Sequence, residues 1–538
     1  MSSRERAGSA GAGPAPEGRR PARPLALLCA LLLAALFAWN VSRTWFQSDD
    51  AFISFRYALN LADGLGPVWN PGERVEGYTN FSWVLLMAAG LEIGLDPELF
   101  SNALGVVSGA LLLVVLWRFA ARGRSLASPV PWLLVLVLAA NQSFAAWCTG
   151  GLETMFFALL VFLGFERLLA PWERGARDAA VCSLCYAGAA LTRPEGLLFA
   201  GLAFALLLFD VVRARRAFRT ALVWLAPFVL LVGAHFLWRR AYYGAWLPNT
   251  FYAKVGGLWL EQGWRYFSYY HDCYFIGWFL PLAPLALLGR RRREAAVFLC
   301  VLAVYLAYVL AVGGDLFELR FFVHVFPLLY WLLVEGLATL AELPRLRTRA
   351  AGPGLAAAGA LALLATTHLG FERVPGNRYG LQSVEGITHY TRMRQEEGRT
   401  LRRFIEQGVL PRDVVLCVGG AGAVPYYTRW TTVDRRGLND ARIARMPVGR
   451  RGFVGHEHDA PHEYLVERGV VVFDFFNQML VKRQGLRSLK GPYRHDGHVL
   501  TMRAIALDER ALVFATYVTD AELARRFPGV EILPLGGG

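Results

Sequence analysis

The sequence predicts a polytopic α-helical membrane protein with about 11 transmembrane helices, further interfacial helices and a C-terminal external α/β domain. Three observations lead to this fold class. Of the 538 residues, 55% are hydrophobic and only 18% charged, whereas soluble domains carry about 25% charged residues. Apolar runs separated by arginine clusters extend to about residue 370. Beyond that point, short apolar runs alternate with amphipathic stretches, which is typical of an α/β domain.

The apolar runs define a membrane domain over residues 24–370. Residues 1–23 are rich in Gly, Ala, Pro and Arg, and we expect a disordered cytoplasmic tail. Several runs are shorter than the roughly 20 residues that a helix needs to cross a bilayer, so their ends are approximate. The predicted spans are 24–42, 101–118, 130–148, 152–169, 179–193, 196–212, 220–238, 273–289, 295–312, 321–340 and 352–370.

The net charge of +14 arises largely from arginine clusters at the ends of these spans. Such clusters favour the cytoplasmic flanks of membrane helices, so they indicate topology and argue against nucleic-acid binding. The short apolar stretch 81–95 would break this pattern if it crossed, so we interpret it as an interfacial or re-entrant helix. The N-terminus is then cytoplasmic and the C-terminus external. The clusters are Arg19, Arg20 and Arg23; Arg118, Arg122 and Arg124; Arg213, Arg215, Arg216 and Arg219; Arg290 to Arg293; and Arg345, Arg347 and Arg349.

This topology gathers the polar motifs on the external face. They lie in the long loops 43–100 and 239–272 and in the shorter segments 149–154, 192–196 and 313–315. The cytoplasmic loops are short and merely basic, so we predict that the function is external. The domain formed by 371–538 is external as well.

An adjacent pair of acids, Asp49 and Asp50, directly follows the first apolar run. Carboxylates at a membrane surface are costly to dehydrate and are usually retained for chemistry. Helical spacing of Phe52, Phe55 and Leu59 predicts an amphipathic helix that starts at the acids, lies in the interface and ends at Gly64. A capping role for Ser48 or Asp49 is the alternative, but capping needs one acid only. The pair therefore predicts a general base for an acceptor hydroxyl.

Other external polar residues are candidates for binding substrate. Four cations are candidates for a phosphate, with surface salt bridges or snorkelling to the interface as the structural alternatives: Arg56, Arg193, Lys254 and Arg320. Substrate contacts are predicted at Asn70, Glu76, Tyr78, Thr79, Glu153, Asn249, Tyr252, Asp315, Asp440 and His456, with structured loops, an aromatic belt and ordinary surface polarity as alternatives.

The outer domain carries two weaker patterns. The stretch His456-Glu457-His458 contains no helical i, i+4 pair of histidines, so the metalloprotease pattern is absent there and no metal site is predicted. The turn Gly419-Gly420-Ala421-Gly422 follows a predicted strand but lacks the spacing of a dinucleotide-binding fingerprint. Neither pattern predicts a cofactor.

Several motifs together resemble the GT-C class of polytopic glycosyltransferases, and within it the actinobacterial terminal arabinofuranosyltransferases. The stretches that carry the resemblance cover nearly the whole chain: DDAFISFRYALNLADG, WNPGERVEGYTNFSWVLL, TGGLET, LTRPEG, YYGAWLPNTFYAK, VGGD, PYYTRWTTVDRRGLNDARIAR and GHE. Ser82 and the pair Arg435-Arg436 depart from the pattern of the nearest relatives. The arginine pair lies in the outer domain, so the departure concerns the acceptor more than the reaction.

The resemblance implies an activity and a location. It implies an inverting transfer of a sugar, expected to be arabinofuranose, from a polyprenyl-phosphate donor to a cell-envelope glycan or glycoconjugate. The catalytic base would be an acid of the first external loop, Asp49 or Asp50. The protein would be a multi-pass protein of a bacterial inner membrane with its C-terminal domain in the periplasm. No metal cofactor is expected, although some relatives in the wider class use a divalent cation.

Two functions of other classes remain alternatives. A transporter or flippase for lipid-linked glycans would be expected to show internal repeats and binding groups near the bilayer midplane. No duplicated half is visible in the sequence, and the polar motifs gather at one face. A non-catalytic envelope scaffold, with the outer domain as its binding part, is the second alternative.

Overall fold

The computed structural model describes most of the chain from residue 22 onwards. The predicted tail 1–23 lies almost wholly outside the described residues, as does the arginine cluster at 345–349. The described residues are 22–172, 175–254, 256–343, 351–448, 451–452, 454–474, 477–489 and 492–535.

Apolar helices dominate the chain up to Leu369. In chain order they are α1 (Ala22–Arg43), α2 (Asp49–Ala62), α3 (Phe81–Glu92), α4 (Pro97–Ala121), α5 (Pro129–Ala140), α6 (Gln142–Ala146), α7 (Thr154–Leu169), α8 (Ala176–Thr192), α9 (Glu195–Val212), α10 (Phe218–Phe228), α11 (Ala234–Tyr243), α12 (Asn249–Lys254), α13 (Leu260–Tyr274), α14 (Ile276–Phe279), α15 (Leu282–Leu285), α16 (Arg292–Val312), α17 (Arg320–Val323), α18 (Phe326–Glu342) and α19 (Ala351–Leu369). A π-helical turn, Val229–Gly233, joins α10 to α11.

Each of the predicted spans contains helical structure, but their number as complete crossings is not confirmed. Within the described residues, 6 helices are long and apolar enough to cross a membrane, or up to 7 if the bent pair Leu260–Tyr274 and Ile276–Leu288 counts as one span. That pair bends by 79° where Phe275 adopts a left-handed conformation with φ of 54°. Another predicted span is interrupted at Asn141, which caps α6. Breaks of this kind shorten individual helices without removing the segment from the bundle.

The basic ends of the helices lie at one end of the bundle. Arg124 of the α4 end pairs with Glu335 of α18 at 2.6 Å. Arg122 pairs with Glu166 of α7, and Arg293 of α16 pairs with Asp210 of α9. The sequence analysis assigned these arginine-rich helix ends to a single side of the membrane. The ion pairs show that these helix ends lie together.

Residues 384–535 contain a mixed β-sheet with flanking helices, which confirms the predicted C-terminal sheet domain. The strands are β1 (Val415–Val418), β2 (Thr431–Asp434), β3 (Val472–Asp474), β4 (Leu480–Lys482), β5 (Tyr493–His495), β6 (His498–Ala506), β7 (Arg510–Thr516) and β8 (Ile532–Leu535). The helices are α20 (Val384–Glu406), α21 (Ala423–Thr428), α22 (His462–Glu467) and α23 (Asp520–Arg526). Short 3₁₀ turns occur at Ala286–Leu288, Gly376–Tyr379, Ile443–Arg445 and Arg483–Ser488.

The sheet has the strand order β2-β1-β3-β7-β6-β5, with β4 paired to β7 and β8 paired to β6. Strand β1 runs parallel to β2 and β3, and the remaining pairs are antiparallel. The turn after β1 leads into α21, which faces the membrane domain at α2. The sheet therefore presents the Gly-rich turn at the boundary between the two domains.

Helix α2 begins and ends where the sequence predicted, but its surroundings differ from the prediction. Its apolar face packs on protein: Phe52 lies 5.5 Å from the Tyr426 ring and 5.7 Å from the Tyr427 ring of α21, measured between centroids. Its polar face is buried as well, including Arg56 and Asn60. The predicted interfacial helix is thus enclosed between α3 and the outer domain, because both of its faces find protein partners.

Helix α3 occupies the apolar stretch that we interpreted as interfacial or re-entrant. It has 12 residues, which at 1.5 Å per residue give about 18 Å, well short of a hydrocarbon core of about 30 Å. Its inner face packs on α2 and α8. The length of α3 agrees with the interpretation of this stretch as an interfacial or re-entrant helix.

Candidate functional site

The carboxylate of Asp49 is held by the outer domain. Its Oδ1 accepts a hydrogen bond from the Ala423 amide at 2.9 Å, and its Oδ2 accepts one from the Gly422 amide at 3.2 Å. Burial raises the pKa of Asp49 to about 6, although the Ala423 hydrogen bond and the charge of Arg394 oppose the shift. Asp49 therefore uses both carboxylate oxygens for contacts within the protein.

Asp50 has different surroundings. Its side chain is partly exposed, and in the described part of the chain no group forms a hydrogen bond or an ion pair with its carboxylate. His456 of the outer domain is its electrostatic neighbour. Burial lowers the pKa of His456, Arg436 and Lys254 act in the same direction, and Asp50 opposes them. Asp50, Arg436 and Lys254 thus all act electrostatically on the His456 imidazole, which relates these four groups at the domain boundary.

The chain before α2 is fixed by the TGGLET motif. The Ser48 amide donates to the Gly150 carbonyl at 3.0 Å, and the Gly150 amide donates to the Phe46 carbonyl at 2.9 Å. Gly150 has φ of 84° and contacts the Phe46 ring so closely that a side chain would overlap it. The motif therefore determines where the acid pair emerges from the membrane helices.

Lys254 reaches the same place from the second long loop. Helix α12 is anchored by Asn249, whose Nδ2 donates to the carbonyls of Gly437, Leu438 and Asp440. Lys254, at the other end of α12, is exposed and lies against Gly455, where an added Cβ would be 3.3 Å from Cε. Its ammonium forms no ion pair with the described residues. Of the four predicted phosphate ligands, Lys254 is the one that acts electrostatically on His456, as Asp50 also does.

Arg56 is not available as a phosphate ligand, because its guanidinium is saturated. Nε donates to the Trp69 carbonyl, Nη1 to the Pro425 carbonyl and the Thr432 hydroxyl, and Nη2 to Asn70 and the Trp430 carbonyl. A guanidinium has five N–H groups, and all five are used. Neither the predicted phosphate contact nor the alternative of a surface salt bridge describes this buried link between domains.

Asn70, Asn249 and Asp440 are likewise engaged within the protein. Asn70 accepts from Arg56 and from the Thr432 amide, and it donates to Glu73 and the Thr432 carbonyl. Asp440 accepts from two amides at the start of a 3₁₀ turn and from the Tyr464 hydroxyl. Asn70 and Asn249 therefore join loops across the domain boundary, whereas the Asp440 side chain stabilises the outer domain internally.

Glu76 and Tyr78 face the membrane helix α11. Glu76 forms a bidentate ion pair with Arg239 at 2.6 and 3.0 Å. Burial raises the pKa of Glu76 to about 7, against the opposing effect of Arg239. The Tyr78 hydroxyl lies 3.1 Å from that of Tyr243. Thr79 beside them is half-buried.

Arg193 and Arg320 form a separate buried group. Arg193 pairs with Glu153 at 2.6 Å and with Glu195 at 3.0 Å. Arg320 pairs with Asp315 at 2.5 Å. The two guanidinium carbons lie 5.4 and 5.9 Å from the Phe321 ring centroid. Three carboxylates therefore balance two arginines, so the predicted ligands Glu153, Arg193, Asp315 and Arg320 come together but already satisfy one another in large part.

Sequence reasoning missed two contributors to the site. The Gly422-Ala423 turn was considered only as a nucleotide loop, whereas its amides hold a carboxylate of the chain itself. Arg436, noted as a departure from the family pattern, is an electrostatic neighbour of His456 and donates to the His458 carbonyl at 3.0 Å. Among the described residues, no group of three or more His, Cys, Asp or Glu side chains has the geometry to hold a metal ion.

Known proteins are similar to parts of this chain. Residues 386–514 match the model of a family described as a domain of unknown function, DUF8728. The terminal beta-(1->2)-arabinofuranosyltransferase of Mycobacterium tuberculosis is 32% identical over 286 residues, which are 48% of this chain and 44% of that protein. The protein of the same name from Corynebacterium glutamicum is 29% identical over 334 residues, 53% of this chain and 47% of that protein. The chain spans a little under half the length of these relatives.

A solved structure shares the fold. The crystal structure of ArnT from Cupriavidus metallidurans bound to undecaprenyl phosphate matches with a TM-score of 0.55 over 91% of this chain and 98% of that chain, at 14% sequence identity. At such low identity the match concerns the fold alone. The predicted resemblance is therefore confirmed: this chain is similar to terminal arabinofuranosyltransferases over about half of its length and has a GT-C fold like that of ArnT.

Proposed function

We propose that this protein is an inverting glycosyltransferase that moves a sugar, arabinofuranose, from a polyprenyl-phosphate donor to a glycan or glycoconjugate of the cell envelope. The single observation that carries the proposal is the carboxylate of Asp50, which has no hydrogen-bond or ion-pair partner among the described residues and acts, like Lys254, on the His456 imidazole. The names of the curated relatives support the sugar, and the lipid in the ArnT title supports the donor class.

Asp50 is the general base of the proposed reaction. Its carboxylate takes the proton of the acceptor hydroxyl as the oxygen bonds to the anomeric carbon. The bond between that carbon and the phosphate oxygen breaks on the opposite face, and polyprenyl phosphate leaves with both electrons of the bond. Phosphate is a good leaving group, so positioning and charge stabilisation supply most of the catalysis. No step requires a metal cofactor.

Lys254 is the first proposed phosphate contact. It is exposed and free of ion pairs with the described residues, whereas Arg193 is held by two carboxylates. Arg320 keeps Nη1 without a hydrogen-bond acceptor in the described part of the chain, so it is the second proposed cation for phosphate binding. His456, Thr79 and Tyr252 are the proposed contacts to sugar or acceptor, because their polar groups are less engaged than those of the other predicted residues.

The proposed setting is a bacterial inner membrane. Eleven crossings, with the broken and short helices included, leave the N-terminus in the cytoplasm and the outer domain in the periplasm. The arginine-rich helix ends lie together at one end of the bundle, which supports this assignment of the two sides of the membrane. The acceptor then reaches Asp50 from the periplasmic side.

Substitution of Asp50 tests the proposal. Asp50→Asn, purified in nanodiscs, should transfer sugar from decaprenyl-phosphoryl arabinofuranose to an arabinan oligosaccharide about 10²–10⁴-fold more slowly than the wild type, since a general base contributes about that factor. Asp63→Asn is the matched control, because Asp63 lies just beyond the same helix in an exposed pair with Arg429. Wild-type transfer by Asp50→Asn would contradict the assignment of Asp50 as the base. Absence of transfer by the wild-type protein itself would contradict the glycosyltransferase and favour the scaffold or the flippase, neither of which needs a base.

A further inference from the structure

The first turn of α2 carries the proposed base but has no cap of its own. Ser48 occupies the N-cap position, yet its side chain makes no capping hydrogen bond. The Ser48 hydroxyl is buried without a partner among the described residues. The Ser48 side chain therefore does not fix this turn, and a contact from another segment must do so.

Asp49 joins this turn to the outer domain. Both of its carboxylate oxygens accept backbone amides of the turn that opens α21, at 2.9 and 3.2 Å. Other contacts of α2 with this domain lie further along the helix, at Phe52, at Arg56 and at Tyr57, whose hydroxyl is 3.2 Å from the Asn439 side chain. Asp49 is thus the contact nearest to Asp50, one residue away.

The close approach of the Gly-rich turn to Asp49 depends on glycine. A methyl group on Gly422 would overlap the Asp49 carbonyl oxygen and lie 2.5 Å from its Cγ. An added Cβ at Gly420 would lie 3.4 Å from Asp49 Oδ2. The Gly419-Gly420-Ala421-Gly422 turn, which resembled an imperfect phosphate loop in sequence, is shaped here to receive a carboxylate of the same chain.

We propose that Asp49 is a positioning residue, which fixes the first turn of α2 on the Gly422-Ala423 amides and so sets the direction of the Asp50 carboxylate. The outer domain is then part of the catalytic machinery, because it orients the base without touching the reacting atoms. This inference rests on the proposed function, in which Asp50 is the base. A displacement of about 1 Å at a reacting group can cost about 10²-fold in rate.

The test compares variants on both sides of the contact. Asp49→Asn keeps the size of the side chain but places an NH₂ group, which cannot accept a hydrogen bond, opposite one of the two amides. Gly422→Ala leaves Asp49 unchanged, but its added methyl group displaces the Gly422-Ala423 turn from Asp49. We expect both variants to lower kcat about 10–100-fold with the KM for decaprenyl-phosphoryl arabinofuranose changed less than about threefold. Gly201→Ala is the matched control, because its added methyl group meets nothing within 4 Å.

The possible outcomes separate this inference from the proposed function. Full activity of Asp50→Asn would defeat the assignment of Asp50 as the base in the proposed function. An inactive Asp50→Asn with wild-type kcat in Asp49→Asn and Gly422→Ala would overturn only the positioning role. An Asp49→Asn variant that is slower than Asp50→Asn would overturn both the positioning role of Asp49 and the assignment of Asp50 as the base, since Asp49 would then be the base. If both variants lost folded protein by size-exclusion chromatography while the folded fraction kept wild-type kcat, the contact would serve stability alone.

Discussion

The two ends of the helical bundle use charged side chains in different ways. At the arginine-rich end, Arg122 and Arg124 form pairs between neighbouring helices and remain partly exposed. At the end that carries the sheet domain, Asp49 and Arg56 are buried and bonded mainly to backbone groups of another domain. The charged side chains at the first end join neighbouring helices of the bundle. Those at the second end join the helical bundle to the sheet domain.

The difference explains why a charged residue at the domain boundary is so hard to interpret from sequence. An exposed ion pair contributes about 0–1 kcal/mol and tolerates change. A buried guanidinium with all its donors used takes several charge-assisted hydrogen bonds with it when it is lost, which costs more. Among the described residues, Asp50 and Lys254 have no such partners, and they are the groups that we propose for the reaction and for phosphate binding.

The largest expected effect follows from removing Arg56. Arg56→Ala would remove one donor from each of the carbonyls of Trp69, Pro425 and Trp430, which keep Asn60, Arg429 and Thr432 as their other donors. Because a hydrogen bond to a charged group contributes about 1.5–3 kcal/mol, we expect destabilisation of about 3 kcal/mol, seen as a lower thermal midpoint in detergent and a smaller yield of folded protein. Arg122→Ala, at the other end, should cost about 1 kcal/mol or less, because its side chain is 35% exposed. Equal losses of stability in Arg56→Ala and Arg122→Ala would contradict the proposed difference between the two ends of the bundle.

A second effect concerns acidic pH. Burial raises the pKa of Asp49 to about 6 and that of Glu76 to about 7, whereas unfolded carboxyls titrate near about 4. The native state therefore holds its protons more tightly, so stability should rise as pH falls from 8 towards 5 and level off below about 4. Each group contributes up to about 3 kcal/mol.

Melting curves at pH 8 and pH 5.5 measure this effect. The thermal midpoint of the wild type should be higher at pH 5.5, and the rise should be smaller in Asp49→Asn and in Glu76→Gln. A midpoint that falls on acidification to the same extent in all three proteins would contradict the assigned direction of both pKa shifts.

The smallest effect is expected at Lys254. Lys254→Ala should raise the KM for decaprenyl-phosphoryl arabinofuranose about tenfold, since it removes one charge-assisted contact at an exposed position. The KM for the acceptor should stay unchanged. Lys254→Arg, which retains the charge, is the matched variant and should remain close to wild type. An altered acceptor KM with an unchanged donor KM would move Lys254 to the acceptor side of the site.

Sequence reasoning was most successful where the signal is local. The extent of α2, the apolar runs and the change to an α/β pattern after residue 370 depend on spacing within a short window, and each matches the structure. It was least successful at Arg56, whose partners at Pro425 and Trp430 lie some 370 residues away in the chain. Nothing near Arg56 in the sequence indicates that its donors are saturated.

By itself the sequence determined that two acids emerge beside the first membrane helix and that a sheet domain follows the bundle. The tertiary structure alone decided how the two acids divide their roles. Neighbouring residues of a helix point about 100° apart, so the packing of other segments determines what each one meets. Here the Gly422-Ala423 turn meets Asp49, and Asp50 acts, like Lys254, on the His456 imidazole.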